Sequence, residues 1–168
     1  MKNEYHEKQL TASILLIAQE NPEKVLLIHH KKHGCWLQPG GHVEKFENPL
    51  EAAIREAQEE TGIDVSPWLQ TGPKIDTYAY QLPIPNYTAE YLIPPHGDEP
   101  EHYHVDWLYV VRLPNTQEIH REKRSSHDIG WFTLEEALDL PMFTNTQYFL
   151  KQMMQNSPSN LTSEAEKQ

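Results

Sequence analysis

The chain is short of cysteine, of basic residues relative to acidic ones, and of long apolar runs, and each scarcity closes off a class of protein. A single cysteine, Cys35, has no partner for an intrachain disulfide and excludes a multi-cysteine zinc site, in keeping with a reducing compartment. The Asn-x-Ser/Thr matches at Asn86 and Asn160 are accordingly read as chance. No apolar stretch approaches the roughly 18 residues that cross a bilayer, and the opening MKNEYHEKQLT carries charge where a secretory leader is apolar. A cytoplasmic protein with no membrane partner is expected. Lys and Arg number 14 against 25 Asp and Glu, and the resulting formal charge of −11 argues against broad binding to a nucleic acid polymer or to anionic lipid. A small phosphorylated ligand stays compatible, because it needs only a local patch or a bound cation. Two such patches exist, His29-His30-Lys31-Lys32-His33 and His120-Arg121-Glu122-Lys123-Arg124, although either is equally an ordinary solvated loop or strand end.

What is present suggests one domain over residues 1–155 and a polar, disordered tail over 156–168. Thr11–Ala18 (TASILLIA) and Lys24–His29 (KVLLIH) are short apolar runs separated by Gln-Glu-Asn-Pro-Glu, the pattern of two buried strands and a turn. Trp36-Leu37-Gln38-Pro39-Gly40-Gly41 predicts a tight loop. Asn48 is placed to cap a helix beginning at Pro49, and Gly62 to stop it. Lys74–Gln81 and His102–Leu113 read as strands, with Leu82–Glu101, which holds five prolines, as a long loop between them. Ile129–Phe132 is a further strand, Thr133-Leu134-Glu135-Glu136 a capping box opening a helix that Pro141 ends, and Phe143–Gln155 a last helix. Strands and helices mixed in this order predict an α/β sandwich, a mixed sheet covered by helices on both faces.

The first of these helices poses a problem of charge. At 100° per residue, Leu50, Ile54 and Ala57 fall within about 60° of one another and form an apolar stripe, while Glu56, Glu59 and Glu60 converge within about 100° on another face. Two carboxylates about 4 Å apart repel by up to roughly 4 kcal/mol at an effective dielectric of about 20, so the cluster contributes nothing as scaffold. A solvated acidic face would explain three glutamates alone. A bound cation explains them together with Arg55 among them and Glu47 where the loop enters the helix, and all-oxygen ligands select a hard ion, Mg²⁺ or Mn²⁺.

The same stretch resembles the Nudix box, Gly-x5-Glu-x7-Arg-Glu-U-x-Glu-Glu-x-Gly-U, where U is usually apolar. Gly41, Glu47, Arg55, Glu56, Ala57, Glu59, Glu60, Gly62 and Ile63 fill its nine specified positions. The preceding Trp36-Leu37-Gln38-Pro39-Gly40 and the later Ile129-Gly130-Trp131-Phe132-Thr133 are similar to the family more loosely, so the likeness spans residues 10–155. The resemblance implies a Nudix-type α/β/α sandwich with a mixed β-sheet, and hydrolysis of a nucleoside diphosphate linked to another moiety. It implies Glu56, Glu59, Glu60 and the carbonyl of Gly40 as ligands of Mg²⁺ or Mn²⁺, with Arg55 orienting a glutamate by pairing with Glu47. Which glutamate acts as base is open, and a further acidic residue outside the box is to be sought among Glu90, Glu101, Asp106 and Glu118. A homodimer is compatible with the family. Two other classes stand beside the enzyme: a catalytically silent Nudix fold that senses nucleotides, which usually loses box carboxylates, and isopentenyl-diphosphate isomerase, whose cysteine has surroundings unlike Gly34-Cys35-Trp36.

Outside the box, alternation in His102-Tyr103-His104-Val105-Asp106-Trp107 puts His102, His104 and Asp106 on one face of a strand. That face is a candidate for contact with substrate phosphate or base, a metal-competent set, or simply a polar wall. Tyr78, Tyr80, Tyr87, Tyr91 and Tyr103 are candidates to stack a base or to pack, and Cys35 reads as a small buried hydrophobe rather than a nucleophile.

Overall fold

The computed structural model describes residues 7–155, so the expected tail over 156–168 lies outside the described residues. A strand apolar at every position must be covered on both faces, and the two runs that read this way are at the centre of the sheet. β1 (Lys8–Ala18) is buried continuously from Thr11, and β2 (Lys24–His30) from Val25 to Ile28. β1 runs parallel to the later strand His102–Leu113 along its whole length. Numbered in chain order, the remaining elements are β3 (Cys35–Leu37), β4 (Gly40–His42), α1 (Pro49–Thr61), β5 (Tyr87–Ile93), β6 (His102–Leu113), β7 (Ser126–Thr133), α2 (Leu134–Leu138) and α3 (Thr144–Gln155). The mixed sheet runs β3-β2-β1-β6-β5, with β4 paired to β1 and β7 to β2.

Alternation assigns the two faces. Leu15 and Ile17 of β1, Val25 and Leu27 of β2 and Leu108 of β6 pack with Leu134, Ala137, Phe149 and Leu150, which brings α2 and α3 onto one face. Ala12, Ile14 and Leu16 of β1, with Tyr109 and Val111 of β6, pack on the other face against Leu50, Ala52, Ala53 and Ala57 of α1. Helices therefore cover both faces, as the α/β/α sandwich requires. Among the described residues no helix is long and apolar enough to cross a membrane.

The ends of α1 are set by its sequence. The Asn48 side chain accepts hydrogen bonds from the amides of Leu50 (3.0 Å) and Glu51 (3.1 Å), while the Glu51 carboxylate accepts from the Asn48 amide at 2.8 Å. Pro49 costs no hydrogen bond at the first turn, and Gly62 ends the helix at φ 77°, a left-handed conformation that glycine adopts without strain. The stripe is broader than Leu50, Ile54 and Ala57: Ala52, Ala53 and Glu60 are buried and Ile54 only partly so.

Three expected segments differ. Lys74–Gln81 is a loop closed by a Lys74–Tyr80 bridge rather than a strand; among the described residues no strand pairs with it, and its Ile75 and Tyr78 face solvent, Tyr78 at 96%. Leu82–Glu101 is not one loop, because β5 lies inside it, antiparallel to β6. The prolines bound that strand rather than interrupt it, since residues 86–93 between Pro85 and Pro94 contain none. Trp36–Gly41 is not all loop either: β3 and β4 flank Gln38-Pro39, and Pro39, which has no N–H to give, accepts from Ile14 N through its carbonyl at 2.9 Å.

The capping box aims α1 and hence its glutamates. Asn48→Ala is expected to cost about 1 kcal/mol, read as a lowered urea midpoint with an unchanged slope.

Candidate functional site

The site is assembled around β4. Val43 N bonds Leu10 O and Ile14 N bonds Pro39 O, each at 2.9 Å, which fixes the alternation of the β1–β4 pairing about Ala12 and Gly41. Gly40 and His42 therefore turn their N–H and C=O groups away from β1, toward the helix side. Both are used there: Gly40 N donates to Glu60 Oε2 at 3.0 Å, and His42 O accepts from Arg55 Nη2 at 3.1 Å. The Gly40 carbonyl faces the same edge as its N–H, beside Glu60. Gly41 makes this approach possible, since a Cβ there would lie 2.2 Å from Glu56 Oε1.

Arg55 binds the other acids. Its Nε and Nη2 clamp Glu47 (3.1 and 2.7 Å), Nη1 bridges Glu56 (2.7 Å) and Glu59 (3.2 Å), and Nη2 also reaches His42 O. All five guanidinium N–H donors are thereby matched to acceptors, a fork no ammonium can imitate. The Glu47 carboxyl is held below its ordinary value, chiefly by the Arg55 hydrogen bond, and Arg55 is correspondingly pushed up.

The three box glutamates differ in setting. Glu59 is exposed, Glu56 is half-buried, and Glu60 is buried at 6% exposure. Burial raises Glu56 above the usual carboxylate range against the opposing pull of Arg55. Burial pushes Glu60 up to about 8, with Glu56, Glu122 and Glu59 adding like charge and the Gly40 amide opposing. A buried carboxylate with one N–H partner and three acidic neighbours is a place where a cation offsets a cost. The chemistry of the donor set fits a hard divalent ion: oxygens of Glu56, Glu59 and Glu60 and the Gly40 carbonyl edge. Among the described residues no three His, Cys, Asp or Glu side chains are already gathered into a metal-binding group, because Glu56 and Glu59 lie on Arg55 and Glu60 on Gly40.

His102, His104 and Asp106 share a face, as alternation predicts, but it is the face of Leu108 and α3, opposite α1, so they do not join the glutamates. Asp106 is buried and accepts from Thr11 Oγ1 (2.9 Å) and Ser13 Oγ (2.6 Å); burial raises it and these hydroxyls oppose. His102 is buried and His104 half-buried. The connection to the box is His42, which lies two residues beyond Gly40 and whose ring is 4.8 Å from that of His104.

Of the acids named outside the box, Glu90 pairs with Lys8, Glu118 lies 3.7 Å from His120, and Asp106 is on the opposite face. The acid that adds charge at Glu60 is Glu122, hidden in sequence inside a run of basic residues. Its segment runs along the end of α1, where His120 N donates to Thr61 O at 2.8 Å and so satisfies a terminal carbonyl. The two basic patches adjoin, Lys31 bonding Ser125 O through its amide at 2.7 Å and Lys123 O through Nζ. Burial pushes His30 down to about 4 and the Cys35 thiol up, so neither is primed to carry charge at neutral pH. Tyr87 packs on Phe149, whereas Tyr78 and Tyr80 are exposed.

A carboxyl raised by folding binds more protons in the folded than in the unfolded chain between its two values, so its contribution is intact below the lower and lost as pH climbs through the higher. For Glu60 that window runs from about 4.5 to about 8. In EDTA, Glu60→Gln should therefore unfold at a higher temperature than the parent at pH 8 and at nearly the same temperature at pH 4.5; a pH-independent difference between the two proteins would contradict this.

Comparison with known proteins gives the arrangement its relatives. The NUDIX domain family model matches residues 7–153. A probable DHNTP pyrophosphohydrolase of Lactococcus lactis is 34% identical over 105 residues, 62% of this chain and 54% of that protein, so the chain spans about half the length of that relative. An asymmetrical bis(5'-nucleosyl)-tetraphosphatase of Mus musculus is 31% identical over 125 residues, covering 74% of this chain and 70% of that one. Among solved structures, a NUDIX-family hydrolase from Clostridium perfringens superposes with a TM-score of 0.66 at 27% identity, over 86% of this chain and 94% of the other. A match that starts one residue before β1 and ends within α3 takes in every element of the fold, and the chain belongs to the NUDIX domain family.

Proposed function

We propose that this chain is a pyrophosphohydrolase that cleaves a nucleoside diphosphate linked to another moiety, with Mg²⁺ or Mn²⁺ held by Glu56, Glu59, Glu60 and the Gly40 carbonyl. The observation that carries the reading is Glu60: a carboxylate buried beside three other acids, with one backbone N–H for company, is a poor piece of scaffold and a good ligand. The relatives support the reaction type, since one carries the name of a probable DHNTP pyrophosphohydrolase and another of an asymmetrical bis(5'-nucleosyl)-tetraphosphatase.

When bound, the ion supplies charge neutralisation on the diphosphate oxygens and acidifies water at neutral pH. This chain's residues supply the rest. Arg55 holds Glu56 and Glu59 in place from one side and ties them to Glu47 and β4 on the other, so the helix and the glycine strand keep a fixed separation. Glu56, Glu59 and Glu60, which converge on one side of α1, are the carboxylates that could take a proton from an attacking water once ionised. Glu47, kept ionised by Arg55, serves as a structural counter-charge.

Release of the two phosphorylated fragments from a panel of nucleoside diphosphate derivatives and dinucleoside polyphosphates, separated by anion exchange and measured with and without Mg²⁺, tests the reading. Metal-dependent release is expected, lost in Glu59→Gln and Glu60→Gln with circular dichroism unchanged. Arg55→Lys, which keeps the charge but not the fork, should lose roughly 10- to 100-fold in turnover. A wild-type protein that binds nucleotides and turns over none of them would instead be a nucleotide-sensing module.

A further inference from the structure

His102 and His104 form a relay whose proton positions the geometry determines. His102 Nδ1 lies 2.9 Å from Pro100 O, and His102 Nε2 lies 3.2 Å from His104 Nε2. A carbonyl oxygen can only accept, so Nδ1 of His102 carries its proton and, in the neutral ring, Nε2 is a lone pair. His104 Nε2 must then be the donor of the second bond, and the second nitrogen of His104, Nδ1, is left with a lone pair. Among the described residues that nitrogen has no hydrogen-bond partner, and its ring is half-buried rather than sealed. Burial first, then the neighbouring His42, His102 and Lys32, with Glu99 opposing, pushes His104 down to about 4, so the ring is neutral under ordinary conditions.

Such a nitrogen discriminates. Phosphate oxygens present only lone pairs at neutral pH, and a neutral imidazole whose one N–H is already donated to His102 has nothing to offer them. It can accept from an amine or hydroxyl. The ring adjoins the box through His42: the two ring centroids lie 4.8 Å apart, and the His42 carbonyl receives Arg55. Asp106, the next polar residue along the same face, is already bonded to Thr11 and Ser13.

We propose that His104 reads the organic half of the substrate, accepting through Nδ1 a hydrogen bond from an N–H or O–H of its base or sugar, and that His102 is the positioning residue that fixes this tautomer against the Pro100 carbonyl. The proposal rests on the nucleotide-derivative reading above, but its test needs no turnover. Two-bond ¹H–¹⁵N correlation of the ¹⁵N-labelled protein at neutral pH is expected to show His104 neutral and protonated on Nε2, with its Nδ1 resonance shifting when a non-hydrolysable, methylene-bridged analogue of bis(5'-adenosyl) tetraphosphate is added in Mg²⁺. By calorimetry, His104→Ala should weaken that nucleotide roughly tenfold while leaving inorganic tripolyphosphate unchanged. His102→Ala should give the same selective loss and release the Nδ1-protonated form of His104, a signature that a merely structural role would not produce. A proton on Nδ1 of His104 in the parent protein, equal weakening of both probes, or a nucleotide that leaves His104 unmoved each overturns the proposal. Loss of hydrolysis with these binding results intact would overturn the catalytic reading alone.

Discussion

The arrangement depends on one guanidinium. Arg55 is the point at which helix α1, the loop residue Glu47 and the backbone of β4 meet, and its five donors are shared among three carboxylates and a carbonyl. Without it, Glu47, Glu56 and Glu59 would repel one another at the helix surface, and among the described residues β4 would keep the Gly40–Glu60 hydrogen bond to the helix but lose the one through His42. Because the planar fork fixes direction as well as charge, it sets the distance between glycine strand and helix, and with it the space in which a diphosphate could be gripped.

The acidic stretch was legible because its chemistry demands residue types at a fixed helical spacing, and spacing survives in a sequence. Asn48, Pro49 and Gly62 announced the helix through local capping, which needs no tertiary information. What was illegible depended on partners distant in the chain. Glu60 is one of three converging carboxylates in the sequence, and only the packing of β4 across the helix shows that it is the buried one. Glu122 sat in a run of basic residues, and its place at the end of α1 follows from where the chain returns after β6. Strand β5 was concealed by the prolines on either side of it, while Lys74–Gln81 had the composition of a strand but no neighbour to pair with. The alternation in β6 is plain in the sequence, yet nothing local says which side of the sheet the His102, His104 and Asp106 face lies on, and it lies away from α1.

β4 separates two chemistries across three residues. One edge of its backbone meets Glu60 and Arg55, while the His42 side chain meets Gln9 (Nε2 to Oε1, 2.8 Å) and the ring of His104. An oxygen-rich, anionic surface suited to a hard cation thus lies next to a cluster of neutral imidazoles suited to directional hydrogen bonds. The cost of holding Glu60 in low dielectric is one side of this division, and the depressed basicity of His42 and His104 is the other. Both follow from the same exclusion of water.

The open edge of the sheet has a consequence of its own. β5 is the last strand, and an unpaired row of backbone amides and carbonyls invites a second chain to add on. Pro85 and Pro94 close off both ends of that row, and Glu90, tied to Lys8 of β1, places charge in its middle. The prolines that disguise this strand in the sequence thus also guard it, limiting fibril-like stacking of copies along this border.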